Sequence, residues 1–86
     1  MKFQVIREDI DGADMDGSVS NCYIARTLKR VTGQDWTVGV SFATNSTTDE
    51  DIIFPKKVKN FIEEFYCGEK VPTDKQLISF NLKIKG

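Results

Sequence analysis

The chain has 86 residues, of which 40% are hydrophobic and 29% are charged, and its formal net charge is −1. This length predicts a single domain over residues 1–86 with one modest hydrophobic core. The nearly balanced charge provides no bulk field that would attract nucleic acid or anionic lipid. The absence of histidine removes the most common general base and the most common metal ligand.

The cysteines and the N-terminus predict a cytoplasmic protein. Cys22 and Cys67 do not form a Cys-x-x-Cys pair, so zinc binding and thioredoxin-like redox chemistry lack a motif. Met1–Ile10 has no apolar signal segment, and no apolar run approaches the ~20 residues that span a bilayer. We therefore expect free thiols and no membrane partner.

The first part of the chain predicts a strand, a loop and a helix. Alternating residues over Lys2–Arg7 are typical of a strand with one buried face. The acidic segment Glu8–Gly17 predicts a loop, after which Ser18 or Ser20 can cap a helix. We expect Gly33 to end that helix in a left-handed conformation. The apolar stripe of the helix recurs at helical spacing and comprises Ile24, Ala25, Leu28 and Val31.

The rest of the chain predicts three strands and a second helix. Strict alternation over Trp36–Ala43 predicts one continuous strand, whose inward side chains would be Trp36, Val38, Val40 and Phe42. The remaining segments predict, in order, a loop, a short strand, a helix, a connection and a last strand: Thr44–Asp51, Ile52–Phe54, Pro55–Gly68, Val71–Lys75 and Leu77–Lys85.

The predicted order is β-α-β-β-α-β. Because each predicted strand has one apolar face, the compact arrangement is a two-layer α+β fold, a ferredoxin-like sheet with two helices on one face. The opposite sheet face would be polar and would lack aromatic side chains. This expectation argues against the base-stacking surface of an RNA-recognition motif.

The acidic loop is a candidate for calcium or magnesium, which prefer oxygen ligands. Its spacing does not fit an EF-hand. Counting from Asp9, Asp14 stands where glycine is required and Ser20 where glutamate is required. We predict a solvated loop, with a weak metal site or a docking surface for a basic partner as alternatives. No cofactor or metal ligand is predicted.

Basic residues form a cluster on each predicted helix: Arg26, Lys29 and Arg30, then Lys56, Lys57 and Lys59. Such charges usually solvate an outer helix face, and Glu63 and Glu64 weaken the field of the second cluster. No nucleophile and base occur at a spacing that suggests a catalytic pair. The sequence therefore predicts no enzyme and no catalytic residue.

Two segments resemble a known group of proteins. One is Asn21-Cys22-Tyr23-Ile24-Ala25-Arg26-Thr27-Leu28-Lys29-Arg30. The other is Pro55-x-x-Val58-x-x-Phe61-Ile62-x-x-Phe65-x-x-Gly68-x-x-Val71-Pro72. Together they resemble small proteins encoded by bacteriophages and prophages, a group that includes anti-CRISPR-type inhibitors. Tyr23 and Tyr66 stand where that group often has proline and aspartate. The resemblance implies origin in a phage or mobile element and supplies no catalytic residue.

These observations together predict a non-enzymatic accessory factor that binds a host protein or protein complex and inhibits machinery such as CRISPR. The alternative is a nucleic-acid-associated module that uses the basic helix faces. Tyrosine and arginine often carry interface energy, and complementary charge sets the encounter rate. The predicted partner-binding residues are Asp11, Asp14, Asp16, Tyr23, Arg26, Arg30 and Tyr66.

Overall fold

The computed structural model describes residues 1–13, 22–65 and 71–84. The strands in these ranges are β1 Lys2–Gln4, β2 Trp36–Val38, β3 Phe42–Asn45, β4 Asp51–Ile53 and β5 Ser79–Asn81. The helices are α1 Arg7–Asp11, α2 Tyr23–Thr32 and α3 Lys56–Phe65, with a short 3-10 helix at Asp74–Gln76. None of the described helices is long and apolar enough to cross a membrane.

The described strands form two antiparallel sheets. β1 pairs with β5, which places Phe3 opposite Phe80 with their rings stacked at a centroid distance of 5.4 Å. β2, β3 and β4 form a three-stranded meander. The α+β class is confirmed. The single ferredoxin-like sheet and the order β-α-β-β-α-β are not confirmed, because an additional helix and an additional strand interrupt that order.

The predicted strand Trp36–Ala43 is instead a hairpin. The chain turns between β2 and β3, and the Gly39 backbone N–H donates to the Phe42 carbonyl at 2.8 Å. Opposite residues of an antiparallel pair share a face, so the turn resets the alternation. Trp36 and Val38 are buried as predicted, whereas Val40 and Phe42 are exposed. Ala43 and Asn45 take the inward positions of β3.

The beginning of the predicted acidic loop is a helical turn, α1. A carboxylate oxygen of Asp9 accepts the Ile6 backbone N–H at 3.1 Å, which satisfies a donor at the helix N-terminus. Ser18 and Ser20 lie outside the described residues, and Cys22 stands at the N-cap of α2. The prediction for Gly33 is confirmed, since it ends α2 with φ 74°.

The second predicted helix is confirmed as α3, and its apolar stripe is buried as expected: Val58, Phe61, Ile62 and Phe65. Its predicted end, Gly68, lies outside the described residues. The Phe61 ring meets the edge of Tyr23 at a centroid distance of 6.3 Å and contacts Phe65 at 5.0 Å. The Tyr23–Phe61 contact joins α2 to α3.

The last predicted strand, Leu77–Lys85, is shorter in the structure, because regular pairing covers only Ser79–Asn81. Its inward side chains are confirmed in part. Phe80 and Leu82 are buried, whereas Ile78 and Ile84 are partly buried against the core. The core therefore lies between the two sheets and the helices α2 and α3.

We expect Phe61→Ala to lower the free energy of unfolding by roughly 3–5 kcal/mol, because truncation leaves a cavity among packed aromatic rings. Small domains have only ~5–15 kcal/mol in total, so the variant would be close to unfolding. Urea denaturation followed by circular dichroism measures the change. Glu63→Ala, an exposed substitution on the same helix, is the control. Similar losses in both variants would contradict the assignment of Phe61 to the core.

Candidate interaction surface

A buried carboxylate occupies the junction of α1, α2 and β1. Asp9 is only 3% exposed. Its Oδ1 accepts Arg30 Nε at 3.2 Å, and its Oδ2 accepts Arg30 Nη2 at 3.1 Å and the Thr27 hydroxyl at 2.9 Å. Arg30 Nη2 also donates to the Gln4 carbonyl on β1. Arg30, predicted to contact a partner, therefore has a structural role within the chain.

The other basic residues of α2 also make contacts within the chain. Arg26 Nη2 donates to the Glu8 carbonyl at 3.5 Å. The Arg26 guanidinium lies so close to Gly12 that a Cβ atom there would overlap it. Lys29 forms an ion pair with Asp35 at 3.1 Å. The basic face of α2 is thus largely held in internal contacts, which weakens the part of the nucleic-acid alternative that uses this helix. The second basic cluster, on α3, is exposed: Lys56, Lys57 and Lys59.

The remaining predicted partner-binding residues are divided between core, surface and undescribed segments. Tyr23, predicted to contact a partner, lies on the inner side of α2, and its ring is buried against Phe61. Asp11 is exposed at the end of α1. Asp14, Asp16 and Tyr66 lie outside the described residues. Among the predicted residues that the structure describes, Tyr23 is buried in the core, Arg26 and Arg30 bond within the chain, and Asp11 is exposed.

The outer face of the three-stranded sheet and the adjoining β2–β3 turn carry exposed apolar side chains that the sequence pattern did not predict. We call Val40, Phe42 and Ile53 the outer patch; they are 43%, 46% and 78% exposed. Phe42 lies directly opposite Ile53 in the β3–β4 register. This face was expected to be polar and without aromatic residues, and that expectation is wrong because the hairpin turns Phe42 outward.

The hydrogen-bond pattern between β3 and β4 determines how closely the side chains of Phe42 and Ile53 approach. The Asn45 N–H donates to the Glu50 carbonyl at 2.7 Å, and the Phe54 N–H donates to the Ser41 carbonyl at 2.9 Å. Hydrogen-bonded pairs alternate along an antiparallel ladder, so Phe42 and Ile53 form a non-hydrogen-bonded pair. In such pairs the opposing side chains are closest, which makes the two residues one continuous apolar surface.

Polar side chains border the outer patch. The next pair along β3 and β4 is Thr44 and Asp51, whose hydroxyl and carboxylate oxygens are 2.6 Å apart. The hydroxyls of Thr37 and Ser46 lie 3.3 Å apart on the neighbouring strand pair. An apolar centre with a polar rim is the usual composition of a protein interface.

The glycine at position 39, inside an alternating run, was the sequence signal for the turn between β2 and β3 that exposes Phe42.

A groove lies beside the patch, between β4 and the chain that continues from β5. It has a volume of about 440 Å³ and is lined by residues 51–55 and 81–83. Pairing with β3 occupies one edge of β4, and pairing with β1 occupies one edge of β5. Among the described strands, none pairs with the other edge of β4 or of β5.

Among the described residues, the environments of Cys22 and Tyr23 shift the pKa values of their side chains. Burial raises the pKa of the Cys22 thiol and also that of the Tyr23 phenol, where the neighbouring Cys22 adds to the effect. A thiolate at Cys22 is therefore disfavoured, which argues against a nucleophile at the start of α2.

No group of three or more metal-ligating side chains occurs within the described ranges.

Comparison with known proteins gives no family for this chain. No family model matches it, no curated protein matches its sequence, and no solved structure matches its fold. A function must therefore be argued from the outer patch and the groove beside it.

We expect Arg30→Met to lower the free energy of unfolding by roughly 1–3 kcal/mol, because the buried Asp9 carboxylate loses its charged donor. Lys29→Met is a matched control: its ion pair with Asp35 is exposed on both sides, and such pairs contribute only ~0–1 kcal/mol. Urea denaturation of both variants measures the difference. Equal effects would show that Arg30 does not stabilise the α1–α2 junction.

We expect alkaline pH to destabilise the chain through Cys22 and Tyr23. The unfolded chain releases these protons near the ordinary pKa values of 9.0 and 10.0, whereas the folded chain retains them longer. The stabilisation that Cys22 and Tyr23 give the folded chain is complete below the ordinary pKa values. It is lost as pH rises through the raised pKa values of the folded chain. In Cys22→Ala the loss should begin at higher pH than in the natural chain. Urea denaturation across this range tests this, and superimposable pH profiles would contradict it.

Proposed function

We propose that this chain is a protein-binding factor without catalytic activity of its own, and that it contacts its partner through the outer patch. The observation that supports this proposal is the exposure of the Phe42–Ile53 pair on an open sheet face. Removing apolar surface from water contributes about 25 cal/mol per Å². A partner that covers the patch would therefore gain binding energy that the isolated chain leaves unused.

The charges around the patch favour a protein partner over nucleic acid. Asp51 stands in the polar rim, and a carboxylate there would repel phosphate groups. Arg30 and Lys29 are held in ion pairs on α2. The patch itself combines one aromatic and two branched aliphatic side chains, which suit apolar and aromatic residues of a protein surface.

The class of partner follows from the resemblance to small phage and prophage proteins. That resemblance makes a protein of a bacterial host the expected target, and defence machinery such as CRISPR complexes belongs to that class. Covering a functional surface of such a complex would inhibit it without any chemical step. A bacterial lysate is therefore the appropriate source in which to search for the partner.

We expect Phe42→Thr combined with Ile53→Thr to weaken partner binding at least tenfold, about 1.4 kcal/mol, because interface energy is concentrated in buried anchors. Threonine suits a strand, so the fold should be retained. Val71→Thr, which changes an exposed apolar residue outside the sheets, is the matched control. Quantitative capture from bacterial lysate, followed by titration with the purified partner, measures the effect.

Two results would contradict the proposal. The first is that the natural chain and the double variant capture the same proteins in the same amounts. The second is that capture disappears on nuclease treatment and falls steeply with salt, which is the behaviour of phosphate contacts and would favour the nucleic-acid alternative. Thermal unfolding of the double variant establishes that any loss of binding is not a loss of fold.

A further inference from the structure

The edge of β4 that pairs with no described strand presents backbone groups to the groove. The residues of β4 and its flanks that bond to β3 are the even-numbered ones, as shown by the Glu50 carbonyl and the Phe54 N–H. Backbone groups alternate in direction along a strand. The N–H and C=O groups of Asp51 and Ile53 therefore point away from β3, towards the side where the groove lies.

The opposite wall of the groove, from Asn81 at the end of β5 to Lys83, is arranged in the same way. The Val5 N–H donates to the Ile78 carbonyl, and the Leu82 N–H donates to the Met1 carbonyl, each at 3.0 Å. The backbone groups of Asn81 and Lys83 are therefore directed away from β1, and both residues line the groove. The Ser79 carbonyl, which points the same way, accepts Lys57 Nζ at 3.0 Å.

From this arrangement we propose that the groove binds an extended segment of a partner protein as an additional strand between β4 and the end of β5 with its continuation to Lys83. The inserted strand would bond to both edges and join the two sheets into one. This inference rests on the proposed function and deepens it, since it specifies how the partner of the outer patch is held. Main-chain hydrogen bonds supply affinity in this mode of recognition, and alternate side chains supply specificity.

The walls of the groove specify the chemistry of the segment. On the inner side, alternate residues of an inserted strand would meet Ile52 and Leu82, which are buried members of the core, so these positions should be apolar. On the outer side, the remaining residues of the inserted strand would lie beside Ile53 and extend the outer patch. Asp51 on one wall and Lys83 on the other favour a segment that carries one basic and one acidic residue. Proline should be excluded, because it lacks the N–H that the edges require.

The variants that test the proposal differ at one backbone donor. Ile53→Pro removes the N–H that faces the groove but no hydrogen bond to β3, and proline is tolerated on such an edge. Ile53→Ala removes nearly the same side chain and keeps the donor. The probe is a library of eight-residue peptides, and the enriched peptides are synthesised and titrated by fluorescence anisotropy. We expect Ile53→Pro to weaken their binding at least tenfold more than Ile53→Ala.

Backbone methylation of the peptide gives a second measurement that needs only the natural chain. A strand inserted between two edges uses the N–H groups of consecutive residues, alternately towards β4 and β5. N-methylation at either of two adjacent central positions should therefore weaken binding at least tenfold. A strand added to one edge alone would tolerate methylation at every second position. This series decides the question even if Ile53→Pro does not fold.

Three results would overturn the inference. The first is that no selected peptide binds more tightly than a scrambled version of its own sequence. The second is that proline and alanine at position 53 have equal effects, and the third is that methylation is tolerated at alternate positions. The proposed function is judged separately. If Phe42→Thr and Ile53→Thr together abolish capture of the partner while Ile53→Pro matches Ile53→Ala, the outer patch binds without strand insertion. If the peptides behave as expected but the threonine variants capture the partner normally, the groove binds and the patch does not contribute.

Discussion

The buried carboxylate of Asp9 is the interaction on which the arrangement of the N-terminal half depends. A desolvated charge is tolerated only when donors surround it. Here the donors come from the Ile6 backbone, the Thr27 hydroxyl and the Arg30 guanidinium. One side chain thereby fixes α1 to α2, and the additional bond from Arg30 to the Gln4 carbonyl fixes both helices to β1. The position of α2 then sets where Tyr23 meets Phe61.

A buried amide performs a comparable role in the three-stranded meander, at the turn between β3 and β4. Asn45 is 1% exposed, and its Oδ1 accepts the backbone N–H groups of Thr47 and Thr48 at 2.8 and 3.2 Å. Its Nδ2 donates to Gln34 Oε1 at 2.7 Å. These bonds fix the β3–β4 turn, and the turn determines the register that places Phe42 opposite Ile53. The exposed apolar pair therefore depends on a buried, hydrogen-bonded amide at the β3–β4 turn.

The parts of the fold that could be predicted are those determined by neighbours along the chain. The stripes of α2 and α3 repeat every three or four residues, and Gly33 ends its helix through its own backbone freedom. Alternation over Trp36–Ala43 indicated strand character but not the turn inside it, because the apolar side chains keep alternating along the sequence while the turn shifts the buried positions to Ala43 and Asn45. The outer patch was missed for the same reason.

The role of Asp9 depends on contacts that spacing does not reveal. Thr27 and Arg30 are separated from it by 18 and 21 residues, and an acidic residue in a polar segment is usually solvated. The pairing of β1 with β5 spans nearly the whole chain. Local pattern can indicate that a strand exists, whereas its partner is determined by how the complete chain packs.

The open edge of β4 also bears on how this chain behaves at high concentration. An unpaired strand edge is a template for other copies of the same chain, and long, flat, apolar edges lead to aggregation. Here the strand is only three residues long and lies between Glu50 and Pro55. A charge and a proline beside a short apolar edge are the features by which natural sheets limit self-association. Among the described residues, Ile53 is the most exposed aliphatic side chain, and it lies on a strand whose shortness and flanking charge and proline disfavour pairing between copies of the chain.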